Sequence, residues 1–556
     1  MSAAKLALCF CLVALSSVRA DEEFEVTTPQ GKLKGLKTMT INEGKPMYSF
    51  KGIPYAKPNV GPDKFRDPIK ADAWDGVLDA TQHRPTCVFY CMVRNDIFGE
   101  EDCLFINVYT PEVNPDAGRA VMVWFHPGDY NAGAGDDDLF SPDFLIEKDV
   151  VVVTFNSRVG AIGYLNTGDA NAPGNVGLKD QVMALKWIQD NIQSFGGCYN
   201  RVTLFGEDSG GATVQYHMLS PMSQGLFKNA ISQSGAVLST WAYSYTPKEN
   251  AFALGEILGI KTSDTAELVD KLRQFTALEL VDASTELSKR GNYMNGFMNA
   301  FLPASEANAG QEVFLPADPW ELIKAGKIAD VPYMAGVVAD EGGLFAPGII
   351  MQDPKMVDEN FDKFVPDDLN ITDPAQRNEI GESFRKFYLD GKPIDSDPQQ
   401  AMNLLGDVFF TYGFSLSTEI INERNSAPVY QYVFSHHDPW GFMKHIFGLE
   451  DGVLHGDDLG YLWYSTGFKN KPMPGSDMEK MMHILTELWT NFAKESNPTP
   501  NMDGMVKVTW EPKGKDDNYL DINLEPKLKS GLMTDRKNFW ADIYKNVLGD
   551  YSKLFA

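Results

Sequence analysis

The stretch Thr203-Leu-Phe-Gly-Glu-Asp-Ser-Gly-Gly-Ala-Thr-Val214 constrains the fold more than any other part of the chain. An apolar strand end runs into Gly206, turns sharply, and leaves through Gly210, Gly211 and Ala212 toward a helix. This is the layout of a nucleophile elbow, Gly-x-Ser-x-Gly, in which a strained strand-to-helix turn holds one side chain out above a sheet. Strand and helix nearly touch there, so small residues are needed two places before and two places after the exposed one. Gly206 and Gly210 occupy those places, which puts Asp208 at the tip. Ser209 stands one position late: two places before it is Glu207, and its side chain is expected to point away from the tip. The elbow is present, and its nucleophile position holds a carboxylate.

Such an elbow needs a sheet beneath it, and the flanking segments supply one. Ala120 to Phe125 and Asp149 to Phe155 hold apolar runs without alternation, the pattern of central strands buried on both faces. Gly177 to Ile192 has helical apolar spacing, and the elbow strand Val202 to Phe205 follows it. Strand, helix, strand, elbow, helix predicts an α/β fold with parallel strands, which Val331 to Val338 and Val429 to Phe434 extend. Phe24 to Gly35 reads as an edge hairpin, and Glu101 to Pro111 as a strand that opens at Cys103. Phe50 to Pro58 and Trp74 to Thr81 are turn-rich and lack a strong period, which predicts segments wrapped over the surface of the core.

Residues 1–20 have the form of a secretory signal, with Lys5 near the start, an apolar run from Leu6 to Leu15, and small residues ending at Ala20. No later run approaches 18 apolar residues, so residues 21–556 are expected to form one soluble, secreted unit with no membrane anchor. The net charge of −27 disfavours nucleic acid and anionic lipid as partners. Cys87, Cys91, Cys103 and Cys198 remain after the signal, enough for two bridges in three connectivities. Their spacing is poor for a metal site, and no cofactor is expected. Asn370-Ile-Thr372 is a glycosylation sequon in a polar region.

Nine motifs in order carry a family resemblance: Gly52-Ile-Pro-Tyr-Ala-Lys-Pro, Glu101-Asp-Cys-Leu, Ala172-Pro-Gly-Asn-Val-Gly-Leu-Lys-Asp-Gln, Phe195-Gly-Gly, the elbow, Gln233-Ser-Gly, Asp340-Glu-Gly, His455-Gly-Asp-Asp and Leu488-Trp-Thr-Asn-Phe-Ala-Lys. Together they resemble the type-B carboxylesterases, which include cholinesterases and secreted insect carboxylesterases. The resemblance spans the whole mature chain and implies the α/β-hydrolase fold, a large and mostly parallel sheet flanked by helices. It implies Glu341 as the orienting acid and His455 as the base, in the chain order nucleophile, acid, histidine. It also implies a Cys87–Cys103 bridge, and leaves open whether Cys91 and Cys198 pair with each other or stay free.

The oxyanion loop departs from the family pattern. Where relatives of this kind carry His-Gly-Gly-Gly and an aromatic residue, this chain has His126-Pro-Gly-Asp-Tyr130. Its donor positions are Gly128, Asp129 and Ser209, and Asp129 is expected to set a negative charge where an oxyanion must develop. The acidic run Asp129 to Asp138 fails as an EF-hand, lacking the required glycine and glutamate, and reads as a solvated loop. With nucleophile and oxyanion positions both altered, the sequence predicts loss of serine-esterase chemistry. The expected role is binding of a small apolar ligand, an ester or a partner protein, in an apolar pocket beneath residues 126 to 130 and 208. The alternative is a hydrolase of changed mechanism, with Asp208 as nucleophile or Asp129 activating water, acting on carboxylic esters or epoxides.

Overall fold

The computed structural model describes residues 22–91, 95–290, 299–346 and 353–549. The signal expected at residues 1–20 lies outside them. Among the described residues a thirteen-stranded sheet runs through the molecule. Its centre is parallel: Val151–Phe155, Arg119–Phe125, Gly197–Glu207, Asn229–Gln233, Tyr333–Val338, Val429–Phe434 and Asn518–Ile522 lie side by side in that order. One flank is antiparallel, built from Glu22–Thr28, Gly31–Met39, Pro46–Pro54 and Phe105–Thr110. Val77–Asp79 adds alongside Gly31–Met39, and Lys527–Ser530 closes the other edge. This is the α/β-hydrolase architecture, with the elbow strand in the middle of the parallel part.

Continuous apolar runs account for the centre. Val121, Val123, Val151 and Val153 face one layer of helices, while Met122, Trp124, Val150 and Val152 face the other. Helix Val176–Asn191 covers the first face, and helix Asp477–Glu495 the second, where Trp489 and Phe492 are buried. The central β-strands thus bury both faces, as their lack of alternation predicts.

The segment from Phe50 to Pro58 is not a surface wrap. Pro46–Pro54 is an interior strand of the antiparallel flank, with Phe50 and Ile53 fully buried. Its register against Phe105–Thr110 shifts between Phe50 and Ile53, around Gly52 at φ 66°. A bulge that inserts residues into one strand destroys the period of two in the sequence, and so hid the strand. Trp74 to Thr81 does lie at the periphery, and its short strand Val77–Asp79 is largely exposed.

Candidate active site

Strand Gly197–Glu207 ends directly beneath the elbow, and helix Ser209–Leu219 leaves it. Asp208 sits between them at φ 56° and ψ −125°, a strained conformation outside the left-handed helical region. The glycine argument holds in detail. A Cβ on Gly210 would come within 2.0 Å of the Phe125 carbonyl oxygen, and one on Gly206 within 2.5 Å of Gly210. Asp208 therefore takes the tip, and Ser209 is the buried first residue of the helix.

The structure brings together Asp208, Glu341 and His455. Glu341 follows strand Tyr333–Val338 at the start of a short turn, where Val338 N–H donates to its Oε1 at 2.9 Å. Its Oε2 lies 2.7 Å from His455 Nδ1. The opposite ring nitrogen, Nε2, lies 3.6 Å from Asp208 Oδ1 and 3.2 Å from Glu207 Oε1. The Phe410 ring packs against the imidazole at 4.2 Å between centroids. Burial opposes a charge on His455. The carboxylates of Glu207 and Glu341 and the bond to Asp208 outweigh it and hold the ring's pKa well above its ordinary value. The surrounding carboxyl groups favour the charged form of the ring.

Glu207 is the residue that the sequence reading missed. It is wholly buried, and burial pushes its carboxyl far up, against the pull of His455. Its Oε1 lies 3.2 Å from His455 Nε2, which makes it the third carboxyl group around the ring, with Asp208 and Glu341. The available signal was a carboxyl group directly after the buried stretch Val202–Gly206.

The oxyanion loop leaves strand Arg119–Phe125 and turns through Gly128, Asp129 and Tyr130, all with positive φ. Gly128 N–H and Asp129 N–H both donate to Asp208 Oδ2, at 3.0 and 3.1 Å. Asp208 thus fills the two loop donors with one oxygen and points the other at His455. Burial disfavours its charge, but the His455 contact and the backbone N–H groups of Ser209 and Gly128 prevail and lower its pKa. Its side chain is only 16% exposed.

The Asp129 carboxyl itself turns to Asn299. Its carboxyl accepts the Asn299 N–H at 3.1 Å, while burial, reinforced by the Asp208 charge, raises its pKa well above the carboxylate range. The carboxylate that accepts the loop donors is that of Asp208, not Asp129. The acidic run beyond it is not simply solvated either. Asp137 pairs with Lys51 at 2.5 Å and with His83 at 2.9 Å, and Asp138 is the exposed member.

A cavity lies under the loop, lined by Phe125, Tyr130, Phe155 and Tyr164 but also by Gln181 and Ser209. Its walls are mixed rather than apolar, and Asp208 does not line it. Further motif residues support the histidine from behind. Asp458 accepts from Gln233 Nε2 at 2.7 Å, and Gln233 accepts from Trp489 Nε1 at 3.0 Å. Asp457 takes the N–H groups of Leu454 and Lys444, bracing the turn that carries His455. The Cys87–Cys103 disulfide is formed, and Cys91 and Cys198 are free thiols. Asn370 is exposed. Among the described residues no group of three or more histidines, cysteines and acids could hold a metal ion, and no helix is long and apolar enough to cross a membrane.

A model of the carboxylesterase family matches residues 22–540. Juvenile hormone esterase of Tribolium castaneum is 36% identical over 480 residues, covering 82% of this chain and 80% of that protein. A carboxylic ester hydrolase of Bombus ignitus is 33% identical over 536 residues, covering 93% and 94%. The crystal structure of juvenile hormone esterase from Manduca sexta, with OTFP covalently attached, superposes with a TM-score of 0.85 at 29% identity, covering 94% of this chain and all of that one.

Proposed function

The chain belongs to the carboxylesterase family, and we propose that it keeps the family's scaffold without its serine-esterase chemistry, acting as a secreted binder of a small apolar ligand or ester. One observation carries this reading: Asp208 Oδ2 already accepts the N–H groups of Gly128 and Asp129. Acyl transfer requires those donors for the oxygen of a tetrahedral intermediate. Here they are satisfied by a carboxylate of the chain itself, paired on its other side with a charged histidine. An incoming carbonyl would have to displace that anion. A pair of unit charges at about 4 Å and an effective dielectric of 20 is worth about 4 kcal/mol, so displacement alone costs roughly a thousandfold in rate.

Purified protein should turn over p-nitrophenyl butyrate no faster than a background esterase trace, while an apolar dye or fatty ester binds saturably and is displaced by competitors. Hydrolysis at rates typical of an esterase would overturn the reading. A dye that fails to bind would remove the binding role and leave only the loss of chemistry.

A second reading has its own observation. With Oδ2 held by two N–H groups, Asp208 Oδ1 is the free oxygen of an anchored carboxylate beside His455, the disposition needed to attack an alkyl carbon such as that of an epoxide. The same histidine would then have to be neutral to activate water against the resulting ester, and its carboxylate neighbours oppose that. Turnover of styrene oxide, abolished by Asp208→Asn, would favour this reading over the first.

A further inference from the structure

The residues Glu147 to Asp149 lead into strand Val151–Phe155 at its N-terminal end, the end of the parallel sheet away from the elbow. There Lys148 meets helix Asp477–Glu495, and its Nζ lies 3.1 Å from His483 Nδ1. We propose that Lys148 and His483 form a nucleophile–base pair, and that Lys148 is a modification site at which an activated carboxylic ester transfers its acyl group to the amine. This reactivity is separate from the elbow and does not rest on the reading given above.

A surface lysine ordinarily extends into water or pairs with a carboxylate. Lys148 is half-buried, as is His483, and among the described residues its side chain bonds to the imidazole alone. The carboxylates around it are engaged elsewhere. Glu43 pairs with Lys45 at 2.7 Å, and Glu147 accepts the Glu43 N–H at 2.6 Å. Glu487 accepts the N–H groups of Met505 and Val506 at 2.8 and 3.2 Å. A nucleophile and a base within hydrogen-bond reach are the signature of an activated side chain.

The surroundings favour the uncharged form of both partners. Burial pushes the Lys148 amine down, with Lys45 adding to it, against Glu43, Glu487 and Glu147. Burial and the Lys148 charge likewise push His483 down, against Glu43, Glu479 and Glu147. A neutral imidazole has a lone pair for the ammonium's proton, and a desolvated amine yields that proton more readily than one in water.

The step balances with the ester as the sole co-reactant. Lys148 passes one proton to His483 Nδ1, and its lone pair attacks the acyl carbon of an aryl ester. The bond from that carbon to the aryl oxygen breaks, the aryl oxide leaves with the electron pair, and the second ammonium proton goes to water. The product is an amide, so each chain reacts once and does not turn over. Lys494 is the internal comparison. It is half-buried and its pKa is lowered by burial, yet its Nζ donates to the Lys148 carbonyl, which takes no proton.

The test exposes the full chain to p-nitrophenyl acetate at pH 8 until about one acetyl group per chain is bound, and quantifies each site by peptide mass spectrometry. A positioned base contributes about 10²- to 10⁴-fold, so Lys148 should label at least about tenfold faster than Lys494, and ahead of the exposed lysines. His483→Gln keeps a hydrogen-bond acceptor but removes the base. It should slow labelling of Lys148 at least about tenfold and leave Lys494 unchanged. Thermal melts establish that the variant is folded; if it is not, the comparison of Lys148 with Lys494 in the parent decides the matter. Equal labelling of Lys148 and Lys494, labelling led by exposed lysines, or an unchanged rate at Lys148 in folded His483→Gln would overturn the proposal.

Discussion

At position 208 the side chain does two jobs that a catalytic site assigns to separate species. One carboxylate oxygen is where the oxyanion of a reacting ester would sit, held by Gly128 and Asp129, and the other neutralises the histidine. His455 in turn lies among Glu341, Glu207 and Asp208 in a site from which water is nearly excluded. Removing one partner of such a buried set strands the remaining charges, at a cost of about 3–5 kcal/mol. His455→Gln should therefore lower stability by about that amount in denaturant unfolding, and a loss below 1 kcal/mol would mean that the cluster is not charged as described. The same cluster sets a pH dependence. The raised pKa of His455 gives stability that is complete below its unfolded value near 6.5 and is lost as pH rises through its folded value. Asp458, raised to about 7 by burial despite its bond from Gln233, acts in the same direction, its contribution fading between about 4 and 7. The melting temperature should accordingly fall from pH 6 to pH 9, and should fall less in the His455→Gln variant.

At the scale of elements, the strand-turn-helix around Asp208 shows how backbone crowding made the site legible. Gly206 and Gly210 are glycines because strand and helix approach too closely for a Cβ. Gly210→Ala would press on the Phe125 carbonyl, the residue that leads into the oxyanion loop, so it should cost about 1–3 kcal/mol and shift that loop. A melting temperature equal to the parent's would contradict this packing. Spacing of small residues thus placed Asp208 correctly, and apolar runs placed the central strands. What the sequence did not disclose were features set by long-range contact. The Asn229–Gln233 strand is polar in composition, yet fully buried in the sheet. Pro46–Pro54 lost its period to a bulge. The raised pKa of Asp129 comes from burial and the Asp208 charge, against the bond from Asn299, 170 positions away, and local sequence expresses none of these. Within the motif that ends Lys179-Asp-Gln, Asp180 is the buried partner of Arg158 at 2.6 Å, and Lys179 pairs with Glu306 at 2.9 Å. These are scaffold contacts.

Across the whole molecule, the parallel sheet is a platform whose C-terminal strand ends carry the elbow, Glu341 and the turn bearing His455. Conservation of that platform is what the family match and the superposition on juvenile hormone esterase report. The Cys87–Cys103 bridge closes a short loop with a sequence separation of 16. Its removal by Cys87→Ala with Cys103→Ala should cost about 2–4 kcal/mol, mainly by freeing the unfolded chain. Thiol titration under denaturing, non-reducing conditions should find Cys91 and Cys198 reactive and this pair silent. The three motif residues Gln233, Asp458 and Trp489 come from distant parts of the chain and meet behind the histidine. Their order in sequence gave the family, and only the fold shows that they form one brace.

The central claim is that Asp208 occupies the oxyanion donors and so closes the site to acyl and phosphoryl chemistry. Intact-protein mass spectrometry after exposure to a fluorophosphonate measures this directly, on the parent chain and on Asp208→Ser. The parent should remain unmodified. Asp208→Ser frees the N–H groups of Gly128 and Asp129, and burial still favours the uncharged form of the Asp129 carboxyl. That variant should gain one phosphonyl adduct, on residue 208. Stoichiometric labelling of the parent, or an adduct on Ser209 in either protein, would contradict the account.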